Sequence, residues 1–128
     1  MNKIKAMKKI IVLIAVVLCS ACTKEHVMTE FYVKNTSNKT ISFEATIVKP
    51  STITGTYEVT LPFTVNANDK VLARKIEFQK DGKDPQKWFT RFVIYPVEGI
   101  QMNDPNLSEN WVKSNKDGTP VYEFTLNK

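Results

Sequence analysis

"ISFEATI", residues 41 to 47, sets Ile41, Phe43, Ala45 and Ile47 against Ser42, Glu44 and Thr46. A period of two throws successive side chains to opposite faces of an extended chain, so this stretch reads as a half-buried strand with its apolar face inward. The neighbouring stretches repeat the pattern. Phe31 and Val33 alternate with Tyr32 and Lys34 before the Asn- and Ser-rich turn "NTSNK" (35–39). After the loop "KPSTITG" (49–55), Tyr57, Val59, Leu61, Phe63 and Val65 share one face. Pro62 interrupts that run without a ladder donor, which predicts an edge position or a bulge.

Further along, "NAND" (66–69) is a turn, and Leu72, Ile76 and Phe78 fall in phase within a strand over 70–78. "QKDGKDPQ" (79–86) and "SNKDGT" (114–119) each carry Asp-Gly, the pair that tolerates the positive φ angles of a tight hairpin turn. Trp88, Phe92 and Ile94 lie on one face and Phe89, Val93 and Tyr95 on the other, which predicts a central strand. The segment 96–110 reads as loop, after which Trp111-Val112 and "PVYEFTL" (120–126) flank the second Asp-Gly turn. About seven short strands, with turn signals roughly every 8 to 12 residues, predict an all-β fold, a two-layer antiparallel β-sandwich of immunoglobulin-like type. Its expected core draws on Phe43, Ile47, Val59, Leu61, Ile76, Phe92, Ile94, Tyr122, Phe124 and Leu126.

The 128 residues leave room for one such domain. Its N-terminal flank has a different character. Lys3, Lys5, Lys8 and Lys9 precede the apolar run Ile10 to Leu18 and the small-residue end Cys19-Ser20-Ala21. These are the three parts of a secretory signal, and the apolar run is well short of the roughly 20 residues a spanning helix needs. The organisation expected is a removed signal peptide over 1–21, a tether over 22–29 and the sandwich over 30–128. Losing the leader also changes the charge. The whole chain has 18 Lys and Arg against 13 Asp and Glu; without the four leader lysines it has 14 against 13, or +1 in place of +5. The basic character belongs to the export signal, and nucleic acid is not an expected partner.

Cys19 and Cys22 are the only cysteines. A thioredoxin-type pair needs its first thiol at a helix N-terminus after a strand, whereas here an apolar export core precedes it. A zinc half-site needs further ligands, and the chain has a single histidine, His26. The stretch Leu18-Cys19-Ser20-Ala21-Cys22 resembles the lipobox of bacterial lipoproteins, in which small residues precede the cysteine that becomes the acylated N-terminus. The resemblance implies that Cys22 carries the lipid. Placing it on Cys19 would put Val17 and Leu18 in the small-residue positions, so Cys19 is expected to leave with the leader. Several acyl chains, at about 0.8 kcal/mol per buried CH₂, give stable membrane residence.

With its short tether, Asn/Thr-rich β domain and late "NDPNLSENWVKS" segment, the chain as a whole is similar to the small uncharacterised lipoproteins abundant in Bacteroides-type bacteria. That resemblance implies the cell envelope. Thr23, in place of an inner-membrane-retaining Asp behind the cysteine, implies the outer membrane.

Catalytic residues are not evident. His26 sits in the tether, and Glu44, Glu58, Glu77, Glu98, Glu109 and Glu123 fall mostly at outward phases of strands. Asp81, Asp84, Asn103 and Asp104 read as turn residues and lack the spacing of a calcium loop. No metal or cofactor is expected. The aromatics Trp111, Trp88 and Tyr57, with Tyr95 and Tyr32, are the candidate ligand-binding residues, because a flat π face with a polar edge suits a sugar ring. The expected function is that of a non-enzymatic envelope lipoprotein whose sandwich binds a protein or a glycan. A structural component offering an edge strand to a partner is the alternative. A small hydrolase would require a pocket with two convergent carboxylates.

Overall fold

A computed structural model describes residues 26–79 and 88–128; the leader, Cys19, Cys22, and the first Asp-Gly pair with Asp84 lie outside the described residues. The alternating stretches form β1 (His26–Asn35), β2 (Ile41–Ser51), β3 (Gly55–Val65), β4 (Asp69–Gln79), β5 (Arg91–Ile94), β6 (Trp111–Lys116) and β7 (Thr119–Thr125), with a 3₁₀ turn over Ser108–Asn110. They make a four-stranded sheet ordered β4-β1-β7-β6 and a three-stranded sheet ordered β3-β2-β5. The inward phases of the two sheets meet in one core. Phe31, Val33, Tyr122 and Phe124 come from the larger sheet, and Ile41, Phe43, Ala45, Ile47 and Val65 from the smaller. The protein is an all-β two-layer sandwich.

Four ladders between the described strands are antiparallel, and the fifth, β1 with β7, is parallel, setting Phe31 beside Tyr122 and Val33 beside Phe124. The first and last strands thus share the middle of the larger sheet. Immunoglobulin constant domains divide four and three as well, but their first strand lies at a sheet edge, so the strand order here differs.

Several local signals act as read. Asp117 and Gly118 take φ of 52° and 85°, the two positive angles of a tight turn between β6 and β7. Pro62 lies on β3, which pairs with β2 alone, so its missing donor breaks no second ladder. Other positions differ from expectation. β5 is an edge strand of four residues, not a central one, because the apolar residues before it leave the sheet: Trp88 and Phe89 turn into the core ahead of Arg91. In β4 the register shifts opposite Phe31 and Tyr32, so that Ala73 is inserted. Such a bulge reverses the phase of the strand. Val71 and Ala73 face the core before it and Ile76 after it, leaving Leu72 exposed. Leu61, expected in the core, is 36% exposed.

Leu61, opposite Ala45 on the edge strand β3, faces a groove at the base of two long hairpin-like pairs that outrun the rest of the sandwich. β2 and β3 stay paired from Ile47 to Ser51 beyond the last partner of β5, and β1 and β4 stay paired from Thr29 to His26 beyond the last partner of β7. β1 thereby starts at His26, inside the stretch expected to be tether. The result is two two-stranded arms at one end, with a groove of about 270 Å³ between them lined by Ile47, Val48, Lys49, Pro50, Leu61, Ala73, Arg74, Lys75 and Ile76.

The opposite end is closed by buried asparagines. Asn35, fully buried, donates from Nδ2 to the carbonyls of Lys39 (2.7 Å) and Val65 (3.0 Å) and accepts at Oδ1 from the Ser37 amide (2.9 Å) and hydroxyl (2.7 Å). One side chain therefore holds the β1–β2 turn to the end of β3. Asn127 Oδ1 accepts from the Thr36 amide at 2.9 Å, tying the C-terminus to the same turn. Asn35→Ala removes the bonds that tie the turn to β3, although the Lys39 carbonyl keeps the Ser37 hydroxyl at 3.0 Å, and is expected to cost about 2 kcal/mol, since a buried group left unsatisfied costs about 1–3 kcal/mol. Chemical denaturation should show this as a lower midpoint with an unchanged slope.

Candidate functional site

β5 pairs with only the Phe43–Thr46 stretch of β2, and among the described residues no further strand extends the smaller sheet beyond it. Aromatic side chains fill that space. Phe31 stacks on Tyr122 at 5.3 Å and 10°, and Trp88 packs against Tyr122 at 4.4 Å, Phe31 at 5.1 Å and Trp111 at 5.8 Å between ring centroids. Trp111 opens β6 opposite Phe124, and its indole N–H donates to the Pro105 carbonyl at 2.8 Å. The loop before it is stiffened by local bonds: the Asn106 amide to Asp104 Oδ1 and Asn110 Nδ2 to the Asp104 carbonyl, both at 2.9 Å. A satisfied indole on a braced loop is a rigid wall.

Above this floor lies a cleft of about 260 Å³ lined by Trp88, Ser108, Glu109, Trp111, Lys113 and Tyr122. Its volume lies just under the usual range for small-molecule sites, roughly 300–1,000 Å³, so it suits a single ring-sized group. The Lys113 ammonium lies 5.7 Å from the Tyr122 ring centroid, a cation–π contact at the rim. The cleft thus combines aromatic carbon with the Ser108 hydroxyl, the Glu109 carboxylate and the Lys113 ammonium.

The two tryptophans are brought together, but as core. Trp88 is 1% exposed and Trp111 5%, so neither offers the open flat face expected of a stacking platform; both serve as floor and wall. Burying so large an apolar surface stabilises the fold more than leaving it on a face would. Tyr57, 47% exposed, stands on the β2–β3 arm and lines neither cavity. Ser108, Glu109, Lys113 and Tyr122 were not among the expected site residues. The available signal was the polar spacing of "SENWVK" (108–113), which places Glu109 and Lys113 two residues to either side of Trp111.

Elsewhere a few charges are paired. On the outer face of the larger sheet Glu123 lies 3.9 Å from Lys34 and 3.8 Å from Lys70, and Glu30 lies 3.8 Å from Lys75. Exposed pairs of this kind contribute about 0–1 kcal/mol each. The Tyr32 hydroxyl donates to Glu30 at 2.8 Å, and that bond holds its pKa above the ordinary phenol value; a bond to Glu44 does the same for Tyr95. Arg74, at the inward register opposite Phe31, donates to the Trp88 carbonyl, and desolvation lowers its pKa. Glu109 is the carboxylate lining the cleft, and among the described residues none lines the groove. Among the described residues no group of three or more His, Cys, Asp or Glu is placed to hold a metal ion, and no helix is long and apolar enough to cross a membrane. Compared with known proteins, the chain matches no family model, no curated protein and no solved structure.

Proposed function

We propose that this chain is an envelope lipoprotein, held at the outer membrane by acylated Cys22, whose sandwich binds a glycan ring at the Trp88–Trp111–Tyr122 cleft. The observation that carries the binding half is the lining itself: an aromatic floor bordered by Ser108, Glu109 and Lys113. The apolar ring edges that reach the cleft suit the C–H groups of a sugar, and Ser108, Glu109 and Lys113 supply the few directed bonds that fix its orientation. The anchoring half rests on the leader and its lipobox-like end.

Trp88 and Trp111 are the only tryptophans, and both line the cleft, so intrinsic fluorescence reports occupancy directly. Titration with envelope and dietary oligosaccharides should shift or quench the emission for one class. Glu109→Gln and Ser108→Ala should each weaken that binding about fivefold, the loss of roughly 1 kcal/mol per directed bond, without moving the thermal midpoint. Emission unmoved by every sugar, or binding unchanged in both variants, would rule the cleft out.

A second reading, strand addition by a partner, is favoured by β6. It is the regular edge of the larger sheet, exposed along Val112 to Lys116, whereas β4 carries a bulge, β3 carries Pro62, and β5 spans four residues. An unpaired regular edge is a template for another chain. Replacing Asn115, whose backbone amide faces the free edge because its partner Pro120 marks a non-hydrogen-bonded pair, with Pro should abolish such pairing while leaving sugar binding intact, which separates the two readings.

A further inference from the structure

The exposed large hydrophobic side chains are unevenly placed. Of nine among the described residues, Met28, Val48, Ile53, Tyr57 and Leu61 stand on the two arms or in the groove between them. Ile53, at the turn of the β2–β3 arm, is 92% exposed and so contributes almost nothing to the core. The groove behind that tip is lined by three cations, Lys49, Arg74 and Lys75, and by no carboxylate. Among the described residues no carboxylate lies within ion-pair distance of Arg74.

The arms also share an end with the start of the domain. β1 runs from His26 to Asn35, and β2 returns from Ile41 to Ser51, so the 51–55 turn and His26 lie at the same end of the sandwich. The two arms reach similar lengths past the shorter strands, roughly 14 and 17 Å at about 3.4 Å per residue. From Cys22 to His26 the chain spans at most about 14 Å even when fully extended. A bilayer holding Cys22 is therefore within reach of the arm tips.

We propose that the arms seat the domain on the anionic bilayer that holds its lipid, with Ile53 in the interface and Lys49, on the same arm, turned toward phospholipid headgroups. The inference rests on Cys22 being the acylated residue. Ile53 then loses its contact with water, Tyr57 sits as an amphipathic ring at headgroup level, and Lys49 meets lipid phosphate. Seating by this end leaves the Asn35 end pointing away from the membrane.

The test uses the full lipidated chain in phosphatidylcholine vesicles with and without phosphatidylglycerol. On this reading the mature chain has no free thiol, so Ile53→Cys can be labelled singly with an environment-sensitive fluorophore, and Ala67→Cys, in the turn at the opposite end, is the control. The probe at 53 should be blue-shifted and quenched several-fold more by a lipid-borne quencher than the probe at 67. Adding Lys49→Glu should reduce that quenching in the anionic vesicles only. A chain that floats with the vesicles but shows equal quenching at 53 and 67 overturns the seating and leaves the anchor standing. A chain that does not float overturns the anchor, and the seating with it.

Discussion

Cys22→Ala is expected to abolish incorporation of labelled palmitate and to release the protein from membranes, whereas Cys19→Ala leaves both unchanged. The size of the effect follows from the chemistry of the anchor. Each buried methylene contributes about 0.8 kcal/mol, so several acyl chains hold a protein far more tightly than the exposed residues of the arms could. With the lipid gone, the arms retain only Ile53, a few half-exposed apolar side chains and the groove cations, which amounts to weak and salt-sensitive adsorption. The asymmetry between the two cysteines carries the site assignment. Ser20 and Ala21 precede Cys22 as small residues, while Val17 and Leu18 precede Cys19. Loss of labelling in Cys19→Ala alone would move the lipid to Cys19 and lengthen the tether by three residues.

Phe31→Ala should destabilise the fold most among single core truncations, by about 3–5 kcal/mol. Phe31 is fully buried on a central strand, and its ring meets Trp88 at 5.1 Å, Phe89 at 5.7 Å, Trp111 at 6.2 Å and Tyr122 at 5.3 Å. Removing it opens a cavity beneath the cleft floor, where the surrounding rings are pinned by one another and by the Trp111 bond to Pro105 and so can collapse only in part. Against a total stability of roughly 5–15 kcal/mol, that loss is a large fraction. The thermal midpoint should fall by roughly 15–30 °C. Phe63→Ala is the comparison. Phe63 is half-buried on the edge strand β3 and stacks on Phe43 at 4.8 Å, and its truncation should cost clearly less because solvent can fill the space. Equal losses in thermal melts of the two variants would show that stability is spread evenly through the core and not concentrated on the aromatic cluster. Loss of sugar binding in a Phe31→Ala chain that is still folded would further tie that cluster to the cleft.

How far such features could be read without the structure depends on their range. Ile41, Phe43, Ala45 and Ile47 declare their strand because alternation is a property of neighbouring residues, and all four are buried. Asp117-Gly118 declares its turn because positive φ is a property of the residues themselves. The fate of Leu61 and Leu72 was not declared in this way. Each sits in a convincing phase, yet one faces an open groove and the other is turned outward by the bulge at Ala73. Trp88 was visible as an aromatic but not as a floor, because its neighbours Tyr122 and Phe31 are contributed by strands remote in the chain.

The amino-acid sequence by itself determined that this is an all-β chain and where most of its strands and turns fall, and its leader and Cys22 are the support for the envelope address we propose. Those are consequences of backbone preference, side-chain period and local motif. Only the tertiary structure decided that β1 and β7 pair in parallel, that β5 is an edge, and that Trp88, Trp111 and Tyr122 enclose a cleft with Ser108, Glu109 and Lys113. The physical reason is contact range. Such features depend on partners as far apart as Thr36 and Asn127, separated by 91 residues, and periodicity within one strand carries no record of which strand lies beside it.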